Sequence, residues 1–129
     1  MGLIETPHYP AQVGIDAYGN GGFRFAGISH RGSLLCLPKG MFAWDVAAVA
    51  DITAETLAQV FAAADDIDVL LIGLGPDIAA IPRDLRDALR ERKVIVEAVN
   101  TGSAIRTYNV LLAEERAVAA ALIAVDRVR

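Results

Sequence analysis

Asp68-Val69-Leu70-Leu71-Ile72-Gly73-Leu74-Gly75-Pro76-Asp77 is the stretch whose reading decides the fold. Its apolar residues do not alternate with polar ones, so a strand here must be covered on both faces, as inside a parallel or mixed sheet. Gly73 and Gly75 allow a tight loop, and Pro76 removes an amide donor while biasing Gly75 away from helix. Downstream, Pro82 opens a helix that buries Leu85, Ala88 and Leu89. Arg83, Asp84, Arg86, Asp87, Arg90 and Glu91 then face water as a solvated charge run. Val94-Ile95-Val96-Glu97-Ala98-Val99 completes a β-loop-helix-β unit, so it is expected parallel to the first strand, with both ending on one edge. The fold class is α/β.

Asn100-Thr101-Gly102-Ser103 follows, with Thr101 or Ser103 expected to cap a helix whose apolar face is Ala104, Ile105, Tyr108, Leu111 and Leu112. Arg106 and Asn109 fall on its other face. Ligand crevices in open α/β sheets lie beyond the carboxyl ends of the strands, which places Gly73, Gly75, Asn100, Thr101, Gly102, Ser103 and Arg106 around one concavity. Open amides at the Ser103 helix start, with the Arg106 guanidinium, would suit a small anion. The simpler reading is that Ser103 only caps, the glycines only turn and Arg106 pairs with an acid. Gly73-x-Gly75 is an incomplete dinucleotide fingerprint, since Ile78 stands where the third glycine belongs. No Ser/His/acid group, Walker loop or carboxylate pair can be assembled, so no catalytic residue and no cofactor are assigned. The phase of Tyr108 on its helix reads as core.

Upstream the chain is strand-like and glycine-rich. Ala11, Val13 and Ile15 alternate with Gln12, Gly14 and Asp16, which predicts a half-exposed strand over Tyr9 to Ala17. Tyr18-Gly19-Asn20-Gly21-Gly22 reads as a hairpin or wide turn into Phe23-Arg24-Phe25-Ala26-Gly27-Ile28. A second turn is expected at Ser29-His30-Arg31-Gly32, then a strand over Ser33 to Leu37, stopped by Pro38-Lys39-Gly40. Trp44 reads as a core anchor whose indole N–H needs a partner. Thr53 caps a helix carrying Leu57, Val60, Phe61 and Ala64 at helical spacing, and Asp65-Asp66-Ile67-Asp68 ends it. In the last segment, from Glu114, alanine favours helix while Val118, Leu122, Ile123 and Val125 also fit a strand; propensity favours helix.

At 129 residues and 54% hydrophobic content the chain fits a single domain, 1–129. Its longest apolar run, Ala117 to Val125, is far short of the roughly 18 residues of a membrane-spanning helix. The start, Met1-Gly2-Leu3-Ile4-Glu5-Thr6-Pro7, lacks a secretory pattern, so a cytoplasmic location is expected. Cys36 is the one cysteine and reads as a small buried hydrophobe; with only His8 and His30 besides, no metal site is expected. A net charge of −4 with mixed signs leaves no footprint for nucleic acid or anionic lipid.

Several of these residues together resemble the Mth938-like domain family, which contains mitochondrial complex I assembly factor 3 and the adipogenesis-associated Mth938-domain protein. The resemblance rests on Tyr18-Gly19-x-Gly21-Gly22-Phe23-Arg24, Gly32-Ser33, Trp44 and the glycine loop. Its most specific part is Thr101-x-x-Ala104-x-Arg106-Thr107-Tyr108-Asn109-x-Leu111 with Glu115-Arg116 beyond. It covers nearly all of the chain. It implies a compact three-layer α/β sandwich with a mixed sheet and an N-terminal glycine-rich β-hairpin region, and it makes Ala117 to Ala124 a strand against propensity. Family loops usually read Gly-Thr-Gly where this chain has Gly73-Leu74-Gly75, and often carry methionine where it has Asn100. The implied role is a non-enzymatic protein-binding factor, with subunits of a membrane respiratory complex as partners, in a bacterial member. The alternatives are a small-molecule binder or enzyme using the crevice, and a homo-oligomer joined through Trp44 or the final strand.

Overall fold

The computed structural model describes residues 8–76 and 79–126. Met1 to Pro7, Asp77 and Ile78 therefore lie outside the described residues. Among the described residues eight strands form two sheets. A three-stranded antiparallel sheet has the order β1 (Ala17–Gly19), β2 (Gly22–Phe25), β3 (Ile28–Arg31). The larger, mixed sheet comprises β4 (Ser33–Leu37), β5 (Gly40–Trp44), β6 (Val69–Gly73), β7 (Ile95–Val99) and β8 (Val118–Leu122), in the order β5-β4-β8-β6-β7. Helix α1 spans Ala58–Ala62, α2 spans Arg83–Glu91 and α3 spans Thr101–Ala113. The strand β6 at the heart of the opening stretch is interior, parallel to both β7 and β8.

The chain crosses from β6 to β7 through α2, then doubles back past β6 to β8 through α3. Right-handed crossovers in opposite directions put their helices on opposite faces. One face packs Leu35, Phe42, Trp44, Leu70, Ile72, Ala119 and Ala121 against Leu57, Val60, Leu85 and Leu89 of the α1/α2 layer. The other packs Leu34, Cys36, Leu71, Val118, Ala120 and Leu122 against Ala104, Ile105 and Tyr108 of α3, with Phe23 and Phe25 of the small sheet. This is the three-layer sandwich that the resemblance implies.

The middle strand of the large sheet is β8, the segment for which alanine propensity favoured helix. Ala119, Ala120 and Ala121 are fully buried. Alternating side chains face the two helical layers, and the burial of both faces outweighs a propensity difference of at most about 0.7 kcal/mol per residue. Trp44 is buried in the α1/α2 layer and its indole N–H donates to the Thr56 carbonyl at 2.7 Å. Both surfaces considered for a homo-oligomer are thus interior.

Several local expectations are corrected. Tyr9 to Ala17 is not a strand: Tyr9 makes an isolated bridge to Met41, only Ala17 joins β1, and the residues between them bond mainly to distant side chains. The turn Asn20-Gly21 is as expected, with φ of 52° and 77°. The second turn is at Ala26-Gly27, φ 51° and 75°, so Phe23 to Ile28 is divided and Ser29 to Arg31 is strand. Paired positive φ values suit the right-handed twist of a two-residue hairpin. The Thr53 hydroxyl accepts from the Thr56 N–H at 3.1 Å, as a cap would, but residues 54–57 stay in turns and the helix is shortened to α1, with the Thr56 hydroxyl turned back to the Asp51 carbonyl. Arg86 is half-buried rather than solvated, its Nη1 donating to the Val96 carbonyl at 3.1 Å.

The Thr107-Tyr108-Asn109 motif ties residues 13–15 onto α3. The Tyr108 hydroxyl donates to the Val13 carbonyl at 2.7 Å, and the Asn109 amide bonds both backbone groups of Ile15 at 2.8 and 2.9 Å. Thr107 is half-buried beside them. Glu115 and Arg116 close α3: Glu115 takes φ 59°, and the Arg116 N–H donates to the Leu111 carbonyl at 3.0 Å, the geometry of a left-handed helix stop.

Burial pushes up the pKa of both the Cys36 thiol and the Tyr108 phenol, and the two groups adjoin. In the unfolded chain they ionise near about 8.5 and about 10, while the folded chain keeps them neutral. The unfolded state therefore loses protons first, so their contribution is intact below about pH 8.5 and falls as pH rises. Urea denaturation should show about 2 kcal/mol less stability at pH 10 than at pH 8. A Cys36→Ala variant should flatten that dependence; an unchanged slope would contradict the buried thiol.

Candidate functional site

Because β6, β7 and β8 run parallel, their carboxyl ends meet on one edge at Gly73, Val99 and Leu122. The start of α3 and the segment after β8 close over that edge. The Ile123 N–H donates to the Gly73 carbonyl and the Leu74 N–H to the Val99 carbonyl. The β1–β2 turn joins them, since the Asn20 and Gly21 amides donate to the Asp126 and Val125 carbonyls at 3.0 and 2.9 Å.

These elements leave an open pocket of about 210 Å³ lined by Tyr18, Gly75, Pro76, Asn100, Gly102, Arg106 and Val125. Four of the residues anticipated from sequence, Gly75, Asn100, Gly102 and Arg106, are brought together there. Gly73, Thr101 and Ser103 do not line it. Gly73 lies beneath Thr101, where an added Cβ would sit 2.9 Å from the threonine Cα. Gly102 lies against Tyr18 in the wall, and a side chain there would have to displace the Tyr18 hydroxyl.

Thr101 is fully buried and spends its hydroxyl inside the fold. It donates to the Ile123 carbonyl at 2.7 Å and accepts from the Gly75 N–H at 3.0 Å, while the Thr101 amide donates to the Gly75 carbonyl at 2.9 Å. Neither Thr101 nor Ser103 is the cap. Asn100 is, its Oδ1 accepting from the Ser103 N–H at 2.8 Å. The Thr101, Ser103 and Ala104 amides are engaged, so of the open amides expected at the Ser103 helix start the Gly102 N–H alone is left. Asn100 thus closes the helix end.

Arg106 is exposed at the pocket rim, with its Nη2 donating to the Ser103 hydroxyl at 3.0 Å. The one ion pair among the described residues is Arg92 with Asp65 at 3.7 Å, so Arg106 has no carboxylate partner among them. Asn109, expected beside Arg106 on the outer face, turns instead to residue 15. Sequence pattern missed Tyr18, Pro76 and Val125 as lining residues; the only signal for Tyr18 was its place in the Tyr18-Gly19 motif of the resemblance. Among the described residues no helix is long and apolar enough to cross a membrane.

A family model described as a protein of unknown function, DUF498/DUF598, matches residues 15–123. An uncharacterised protein of Rhodobacter capsulatus is 41% identical over 92% of this chain and 90% of its own length. The mouse NADH dehydrogenase [ubiquinone] 1 alpha subcomplex assembly factor 3 is 31% identical over 95% of this chain, which spans 66% of that protein. Among solved structures, one described as an outer membrane protein from Bartonella henselae superposes with a TM-score of 0.88 at 49% identity, covering 92% of this chain and 99% of the other. A Mth938-like domain of Bordetella pertussis superposes at 0.77 with 29% identity, covering 98% and 93%.

The Thr101 hydroxyl can be tested directly. Thr101→Val keeps the volume but strands the Ile123 carbonyl and the Gly75 N–H, so urea denaturation should register a loss of about 2–4 kcal/mol. Thr101→Ser, which retains the hydroxyl, should lose less than half of that.

Proposed function

Because this chain belongs to the DUF498/DUF598 family, of unknown function, and is related to respiratory complex I assembly factors, we propose that it is a non-enzymatic, cytoplasmic protein-binding factor that helps assemble a membrane NADH dehydrogenase. The carrying observation is 31% identity to such a factor across 95% of this chain. The geometry supports it in a specific way. Thr101, Tyr108 and Asn109, which carry the resemblance, are consumed by internal hydrogen bonds, which leaves contact with a partner to the outer surface. The tagged protein, purified from its native host against an untagged control, should enrich NADH dehydrogenase subunits or membrane-insertion proteins. Recovery of the protein alone after mild cross-linking would refute an assembly role.

A second reading rests on the pocket. Arg106 stands at its rim without a carboxylate partner among the described residues, near Tyr18 and Gly102, an arrangement suited to a small carboxylate or phosphate ligand. Since Arg106 is exposed, Arg106→Ala should change stability by no more than about 0.5 kcal/mol. It should also abolish any thermal stabilisation given by a panel of small organic anions. Equal stabilisation of both proteins would remove the guanidinium from the site.

A further inference from the structure

Helix α2 separates its charges. Arg83, Arg86 and Arg90 recur at spacings of three and four, with Lys93 just past the helix end, and Asp84, Asp87 and Glu91 form the adjacent stripe. The two sets sit on different sides of the helix cylinder. The basic side borders β7, an edge strand paired only with β6. Arg86, Arg90 and Lys93 line an open groove of about 370 Å³ together with Val94, Ile95 and Val96, and no carboxylate is among these lining residues.

The backbone of β7 gives the groove a second property. The Ile95 N–H donates to the Asp68 carbonyl at 2.9 Å, and the Val99 carbonyl accepts from the Leu74 N–H at 2.8 Å. Residues of this phase therefore bond to β6, which turns the amide groups of Val96 and Ala98 toward the open edge. Arg86 occupies the Val96 carbonyl. The Val96 and Ala98 N–H groups point where an added strand would lie, and Ile95 is 64% exposed beside them.

We propose that the groove between β7 and α2 receives an extended acidic segment of a protein partner, laid beside β7 as an added strand with its carboxylates on Arg90 and Lys93. This rests on the protein-binding reading above and names the surface and the chemistry of the partner. Backbone donors at an edge give affinity to any extended chain, while the cations select an acidic one. A second copy fits poorly, since pairing β7 with β7 would bring two basic stripes together. Nucleic acid is disfavoured because the chain carries a net charge of −4 and offers only a few clustered cations for phosphates.

The test uses a fluorescein-labelled peptide of alternating Glu and Val, its counterpart with Lys in place of each Glu, and the double variant Arg90→Glu/Lys93→Glu, whose changed residues are both exposed. The acidic peptide should shift the Val96 and Ala98 amide resonances. Its affinity should fall about tenfold or more in the double variant and should weaken with salt. The lysine peptide should not bind. Absence of shifts at Val96 and Ala98 with millimolar acidic peptide would overturn the proposal, as would equal affinity in the variant or tighter binding of an oligothymidylate of similar length.

Purification of both proteins from the native host separates the two readings. If wild type and variant enrich NADH dehydrogenase subunits equally, the groove proposal fails and the assembly role stands. If neither enriches them while the peptide maps to Val96 and Ala98, the assembly role fails and the groove stands.

Discussion

One buried hydroxyl holds together the edge on which the strands converge. Thr101 bridges the Gly75 amide in the loop after β6 and the Ile123 carbonyl after β8, at the start of the helix that follows β7. Three parallel strands thereby share one fastening point. Because both bonds are shielded from water, leaving either group without its partner costs more than the bond itself contributes. Gly73 is a consequence of the same constraint: the Thr101 backbone lies where a side chain would extend.

A second set of polar contacts attaches the N-terminal segment. Residues 13–15 have no ladder of their own to satisfy their backbone, and Tyr108 and Asn109 supply it from α3. The Gln12 side chain extends the same tie to the Val118 carbonyl at 2.7 Å. A run that alternates like a strand is thus held extended by side chains rather than by a neighbouring strand. The same tyrosine rests against Cys36 in the core beneath, so one side chain packs a helix onto a sheet and anchors an irregular segment above it.

The pocket and the β7 edge differ in how much of their polarity the fold has used. At the pocket, Asn100 and Gly75 take most of the backbone donors at the α3 start, leaving Arg106 as its principal charge. At the β7 edge the fold spends one arginine on one carbonyl, and the rest of the basic stripe stays exposed. A helix dipole is a weak attraction once its terminal amides are bonded, whereas an open strand edge keeps donors in a fixed line.

Much of the architecture was legible in local pattern. The doubly buried run at Val69–Gly73, the apolar phases of α2 and α3 and the parallel return at Ile95–Val99 determined an α/β fold with a crevice beyond the strand ends, and four of the seven residues placed there, Gly75, Asn100, Gly102 and Arg106, line the pocket. Short-range spacing sufficed there because each element buries a face set by its own periodicity. Pattern did not show that Thr101 points inward, that Tyr18 completes the pocket, or that the charges of α2 sort beside an open edge. Those outcomes pair residues far apart in sequence, as Thr101 pairs with Ile123 and Asn109 with Ile15. The alanines of β8 show the same limit. Their propensity favours helix, and only burial between two helical layers, a property of the assembled chain, makes them the middle strand.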